Sequence, residues 1–255
     1  MKYFNQFGNI TISLIRAHRL ILVCLLLLIP IKVWAYRPFA STDADVVAAN
    51  ELEIELGYFN WERTSGENSY VTPQLVFNYG LTNTLELIAE FDLEHDLDGK
   101  SQPVDPGLFL KKVFKAGVLQ DSEGVSFALE GGLLLPSAVS GENSTGFEAI
   151  GILSGSLSSF TWHLNLGGGV DRVDHNNFSL WGVILEHPVT PNLRLVAEFN
   201  GEKLKNEAAD NSGLLGVIWE PSSFLPGLAV DVGIRRGATD EAPDWGATLG
   251  LSFSF

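Results

Sequence analysis

The chain of 255 residues holds 31 acidic and 16 basic side chains, a formal net charge of −15, and 45% of its residues are hydrophobic. Such acidity excludes a nucleic-acid partner, whose phosphates it would repel, and so much apolar content excludes a disordered chain. A single Cys leaves no disulfide framework to staple a small fold.

Residues 1–19 contain Lys2, Arg16 and Arg19 and no acid, and the apolar run LILVCLLLLIPI follows, then Lys32 and VWA. This is the pattern of a cleaved signal peptide over residues 1–35, with Val33 and Ala35 at the −3 and −1 positions. Twelve apolar residues fall short of the ~20 that a spanning helix needs. Cys24 lies inside that run behind Val23, a poor setting for a lipid anchor. Cleavage leaves 220 residues with 12 basic against 31 acidic side chains, a net charge of −19, and length enough for one domain with a sizeable core. Residues 36–50, YRPFASTDADVVAAN, read as an N-terminal lead or a partial plug, with the loose periplasmic lead preferred because terminal segments are seldom tied down.

From residue 51 onward the pattern changes to strict alternation. Leu52, Ile54, Leu56 and Tyr58 alternate with Glu51, Glu53, Glu55 and Gly57, which is the period of a strand with one apolar and one polar face. The same period recurs over 74–79, 85–94, 125–133, 160–167, 193–200, 228–235 and 245–255, and more weakly near 107–115, 145–157, 177–187 and 212–220. No stretch beyond residue 36 shows a helical period. Twelve strands over residues 51–255 suit an all-β fold, a single antiparallel up-and-down transmembrane β-barrel. A water-soluble sandwich also alternates. Against it stand strands of roughly ten residues rather than ~5–6, an even strand number, and tryptophans (Trp61, Trp162, Trp181, Trp219, Trp245) near strand ends.

The connections sort by length. GLTNT (80–84), LSSF (157–160) and TPN (190–192) are short, with VLQDSEG and EPSSFLPG somewhat longer. Those at 62–69, 95–106, 136–145, 201–211 and 236–244 are longer and polar. That asymmetry predicts outer loops facing outward and both termini on the periplasmic side of a bacterial outer membrane. The last strand carries Trp245, Ala247, Leu249, Leu251, Phe253 and Phe255 on its lipid parity. Phe253 and Phe255 resemble the C-terminal aromatic signal by which the β-barrel assembly machinery recognises its clients. The expected partners are therefore outer-membrane lipid, that machinery and a small-molecule solute.

The inward parity collects Glu51, Glu53, Glu55, Glu86, Glu90, Asp92, Glu130, Glu148, Glu198 and Asp231 against Lys111, Arg194 and Arg235. Charges in a narrow lumen should pair, which assigns Arg194 to Glu198 and Arg235 to Asp231 on shared strand faces. His163 and Asn165 share the lumen parity, and His163 reads as a satisfied interior histidine before it reads as a base. Two functions follow. One is a passive channel for a small solute, drawn between an acidic wall and a basic strip; the other is a closed structural barrel, or one that interacts through its loops. An outer-membrane hydrolase ranks last, since its carboxylate–His candidates are EHD (94–96) and VDH (173–175), neighbours in a strand point to opposite faces, and no Ser stands in a G-x-S-x-G setting. DLDG at 96–99 lacks the other acidic positions of a calcium loop. No catalytic residue, metal site or cofactor is expected. The oligomeric state stays open.

Five segments carry a family resemblance: RPFASTDADVVAANELEIELGY (37–58), FALEGGLLLP (127–136), WHLNLGGG (162–169), LRLVAEFNGE (193–202) and VGIRRGATDEAPDWGATLGLSFSF (232–255). In this order they resemble the family named for the meta-pathway of phenol degradation. That resemblance implies an outer-membrane barrel transporter and, from the family's name, an aromatic or apolar solute.

Overall fold

The computed structural model describes residues 37–95, 101–137, 144–221 and 225–255. The expected signal peptide, the DLDG motif and the third residue of EHD lie outside the described residues.

Alternating sequence becomes strand wherever the two faces meet different media. The strands are β1 (Leu52–Thr64), β2 (Glu67–Thr82), β3 (Leu85–His95), β4 (Ser101–Lys115), β5 (Ser126–Leu134) and β6 (Gly146–Leu157). They continue as β7 (Phe160–Val170), β8 (Asn177–Thr190), β9 (Leu193–Leu204), β10 (Asp210–Trp219), β11 (Leu228–Gly237) and β12 (Trp245–Ser254). Each pairs antiparallel with its sequence neighbour, and β1 closes on β12, so the sheet is a closed twelve-stranded barrel without an edge. The seam runs from Glu53 opposite Ser254 to Arg63 opposite Trp245, and Leu52 and Phe255 exchange backbone hydrogen bonds at 3.1 and 2.9 Å where it begins. Both ends of the strand ladder therefore lie at one rim, together with the short turns.

Outward positions carry the apolar parity. Leu166 is 72% exposed, Leu215 71% and Ile234 58%, a degree of apolar exposure that water does not tolerate and hydrocarbon does. No helix among the described residues is long and apolar enough to cross a membrane. Inward positions bury Glu53, Glu55, Glu86, Lys111, His163, Glu198 and Asp231 beside Ile88, Phe109, Ile152 and Ile184.

Three of the expected long loops are shorter than their sequences suggested. Residues 62–69 are strand, with only Ser65 and Gly66 turning at positive φ between β1 and β2. The 95–106 and 201–211 loops likewise shrink, because β4 begins at Ser101, β9 runs to Leu204 and β10 starts at Asp210. These strand ends project beyond the apolar belt, where both faces are polar and the alternation that marks a strand vanishes.

Candidate functional site

The lumen holds a segment of its own chain. Residues 37–50 run inside the barrel without regular secondary structure, so their backbone N–H groups need acceptors. The wall supplies them. The N–H groups of Ala40 and Ser41 donate to the Glu198 carboxylate on β9 at 2.7–3.1 Å, and that of Thr42 donates to Asn165 Oδ1 on β7 at 3.1 Å. Ala44 N donates to Ser154 Oγ on β6 at 3.0 Å, Val47 N to Glu86 Oε2 on β3, and Ala49 N to Asn83 Oδ1 at 3.2 Å. Asn165 Nδ2 returns a bond to the Thr42 carbonyl at 2.7 Å, which fixes the segment's register. Arg37 heads the segment. Its guanidinium donates to Gln74, Asn60 and Thr248 and lies 3.6 Å from Asp231.

The basic strip is paired across strands, which corrects the expected same-strand pairs. Arg194 donates to Glu186 on β8 and to Glu220, both at 2.6 Å, rather than to Glu198. Arg235 reaches across β10 to Glu198 at 2.8 Å, and Asp231 goes to Arg37 instead. His163 is 1% exposed and is bonded at Nδ1 to Ser154 Oγ (2.8 Å) and at Nε2 to Glu186 (3.1 Å). The row Ala44 N–H, Ser154, His163, Glu186, Arg194 and Glu220 is thus one continuous chain of hydrogen bonds. It has the residue types of a Ser–His–Glu triad, but Ser154 is fully buried beneath Ala44, leaving a substrate no approach.

The other half of the lumen is an acidic chamber of about 760 Å³ between the N-terminal segment and the wall of β1 to β6. Nine of its lining residues are acids and two, Arg37 and Lys111, are basic. Glu53 accepts from Ser254 at 2.7 Å and Glu55 from Asn78 at 2.9 Å. Lys111 is 3.8 Å from Asp43 and 3.9 Å from Glu130, and donates to Thr42 at 2.9 Å. Glu51, Glu86, Glu90 and Glu148 also line the chamber. On the segment itself, burial and then the neighbouring Asp43 carboxylate push the Asp45 carboxyl up to about 6, against a hydrogen bond from Gln120. No group of three or more His, Cys, Asp or Glu among the described residues is arranged to hold a metal ion.

The structure thus divides the sequence-predicted residues. Lys111, Glu130, Glu86, Glu90, Glu51, Glu53 and Glu55 meet at the chamber, whereas Arg194 and His163 belong to the buried chain, and Glu198, Asn165, Asp231 and Arg235 hold the segment or its neighbours. Phe255 is half exposed on the outer face at the short-turn rim, and Phe253 lies opposite Ile54 on the seam. Sequence reasoning passed over Arg37, Glu186, Gln74, Asn78 and Ser154. For Glu186, Gln74, Asn78 and Ser154 the signal was the same inward parity, obscured because Glu186 lies in a weakly alternating stretch and the other three are uncharged, whereas Arg37 lies before the first strand and carried no periodic signal.

No family model matches the sequence, and no curated protein matches it. Among solved structures, an outer membrane channel from Pseudomonas putida F1 superposes with a TM-score of 0.59 at 11% identity, covering 85% of this chain and 100% of that one. The NanC porin gives 0.58 at 11% identity over 79% and 98% of the two chains, and the KdgM porin gives 0.55 at 10% over 80% and 99%. At such identities the likeness is one of fold. What this chain shares with them is the architecture, a closed antiparallel β-barrel.

Proposed function

We propose that the chain is a passive outer-membrane channel for a small solute, with both termini on the periplasmic side. The observation that carries this reading is the chamber of about 760 Å³ inside a closed barrel whose outer face is apolar. The shared fold with NanC, KdgM and the Pseudomonas channel supports it. KdgM has also been solved with oligogalacturonate, a polyanion. Nine acids around this chamber oppose a polyanion, so that solute is not carried over. The five sequence segments favour the phenol meta-pathway family, and the apolar part of the lining accommodates the aromatic or apolar body its name suggests.

A second reading has its own observation. Six backbone N–H groups of residues 40–49 donate to wall side chains, a tethering that suits a closed barrel acting through structure or its loops. Single-channel recording in planar bilayers separates the two. Discrete openings from the folded protein support the channel, and a folded but silent barrel supports the second reading.

A further inference from the structure

We infer that the chamber recognises small organic cations, an ammonium group joined to an apolar body; this deepens the channel reading and rests on it for transport, though not for binding. Glu90 on β3 and Glu148 on β6 both line the chamber, and among the described residues neither has a hydrogen bond or an ion pair. Glu130 stands 3.9 Å from Lys111, a base it shares with Asp43 at 3.8 Å. Carboxylates without hydrogen bonds in a confined space are costly to keep charged, and a positive charge beside them offsets that cost.

Phe109 decides what kind of cation. Its ring lines the chamber and is seated against two glycines. A Cβ at Gly107 would overlap the ring and stand 2.8 Å from Glu90 Oε1, and one at Gly132 would stand 2.6 Å from Phe109 Cδ1. Both glycines lie on β4 and β5 where strand positions ordinarily carry side chains. They leave room for the Phe109 ring beside the Glu90 carboxylate, and an aromatic ring near a carboxylate is a setting that suits an ammonium group. Val76, Ile88 and Ile150 supply apolar wall around it. Among the described residues a bare metal ion finds no group of three acids or histidines arranged to hold it, and the chamber is far larger than one ion needs. An ammonium on a hydrocarbon or aromatic body satisfies the carboxylates, the ring and the apolar wall together.

The test is calorimetric titration of the full barrel in detergent with 2-phenylethylammonium, its anionic counterpart phenylacetate serving as control. Saturable binding at least tenfold tighter for the ammonium is expected, and Glu90→Gln with Glu148→Gln should weaken it at least tenfold. Phe109→Leu should weaken it severalfold while leaving phenylacetate unchanged. Heat-modifiable migration on gels establishes that each variant is folded. Equal or tighter phenylacetate binding, no saturable binding to the folded barrel, or an unaffected Gln variant would each overturn the inference. Absence of conductance in bilayers would overturn the channel reading instead, and leave the calorimetry to decide this one.

Discussion

Arg235 is the residue on which the lumen's polar order depends. Its guanidinium bonds Glu198, Asn200 and Ser212, and Glu198 in turn accepts the N–H groups of Ala40 and Ser41. Arg235→Ala leaves a fully buried carboxylate with backbone donors but no counter-charge, a loss of about 2–4 kcal/mol. Urea titration of the refolded barrel should show this as a lower midpoint at unchanged slope, and the reversal potential in a salt gradient should move toward cations. A midpoint equal to the parent's would mean that the N-terminal donors alone hold Glu198. The pairing itself shows where sequence reading stops. Arg194 and Glu198 share a face of β9, yet four strand residues span roughly 13 Å, whereas residues on adjacent strands are only ~4.8 Å apart. Parity places a side chain in the lumen; the register between strands chooses its partner, and register is not written in any single strand. Glu186 was therefore out of reach of a search that looked along strands rather than across them.

The N-terminal segment is the element with the greatest consequence for function. A Cβ at Gly80 on β2 would overlap the carbonyl oxygens of Val47 and Ala48, backbone atoms that cannot turn aside. Gly80→Ala should thus detach residues 47–50 from the wall without breaking the barrel. Faster proteolysis within residues 37–50, with heat-modifiable migration retained, is the expected result; an unchanged cleavage rate would show that the segment is not held there. Asp45 gives the same docking a pH dependence. Its carboxyl rises from 3.8 to about 6, chiefly through burial and then through Asp43, in surroundings that also include Lys111 from β4, Glu86 from β3 and Glu130 from β5. A group raised on docking stabilises the docked state while protonated, fully below its free value, and that contribution is lost as pH rises through about 6. Amide protection of residues 44–47, corrected for intrinsic exchange, should fall between about pH 4 and pH 6.5, and Asp45→Asn should flatten the change. Legibility differs between elements for a physical reason. Strand positions were legible because each strand separates two media, and period two records that. The segment 37–50 meets lumen side chains on every side, so it carries no period, and the tip of the β1–β2 hairpin, wet on both faces, carries none either.

At the scale of the whole molecule, the fold is determined by which medium each face of the barrel meets. Apolar residues hold the outward positions through the middle of the strands, as at Leu108, Leu153, Leu166, Val183, Leu215 and Ile234, because hydrocarbon tolerates neither a charge nor an unpaired backbone group, and closure of β1 on β12 removes the last unpaired edge. Length and even strand number were therefore readable together with the parity, while lumen contents depended on how the closed ring brings distant strands face to face. One prediction separates a membrane barrel from a water-soluble one with an exposed apolar coat. Leu166 lies mid-way along β7 and Leu215 mid-way along β10, and both are more than two-thirds exposed. In water, replacing either with Arg would change stability by no more than ~0.5 kcal/mol, as for most surface substitutions. In a bilayer the same replacement puts a guanidinium near the midplane at a cost of about 2–4 kcal/mol. Equilibrium refolding of Leu166→Arg and Leu215→Arg into lipid vesicles, titrated with guanidinium chloride, measures that difference. The lipid-facing assignment predicts the larger loss for both, and a loss within 0.5 kcal/mol of the parent (about the spread of surface substitutions) would place these positions outside the hydrocarbon.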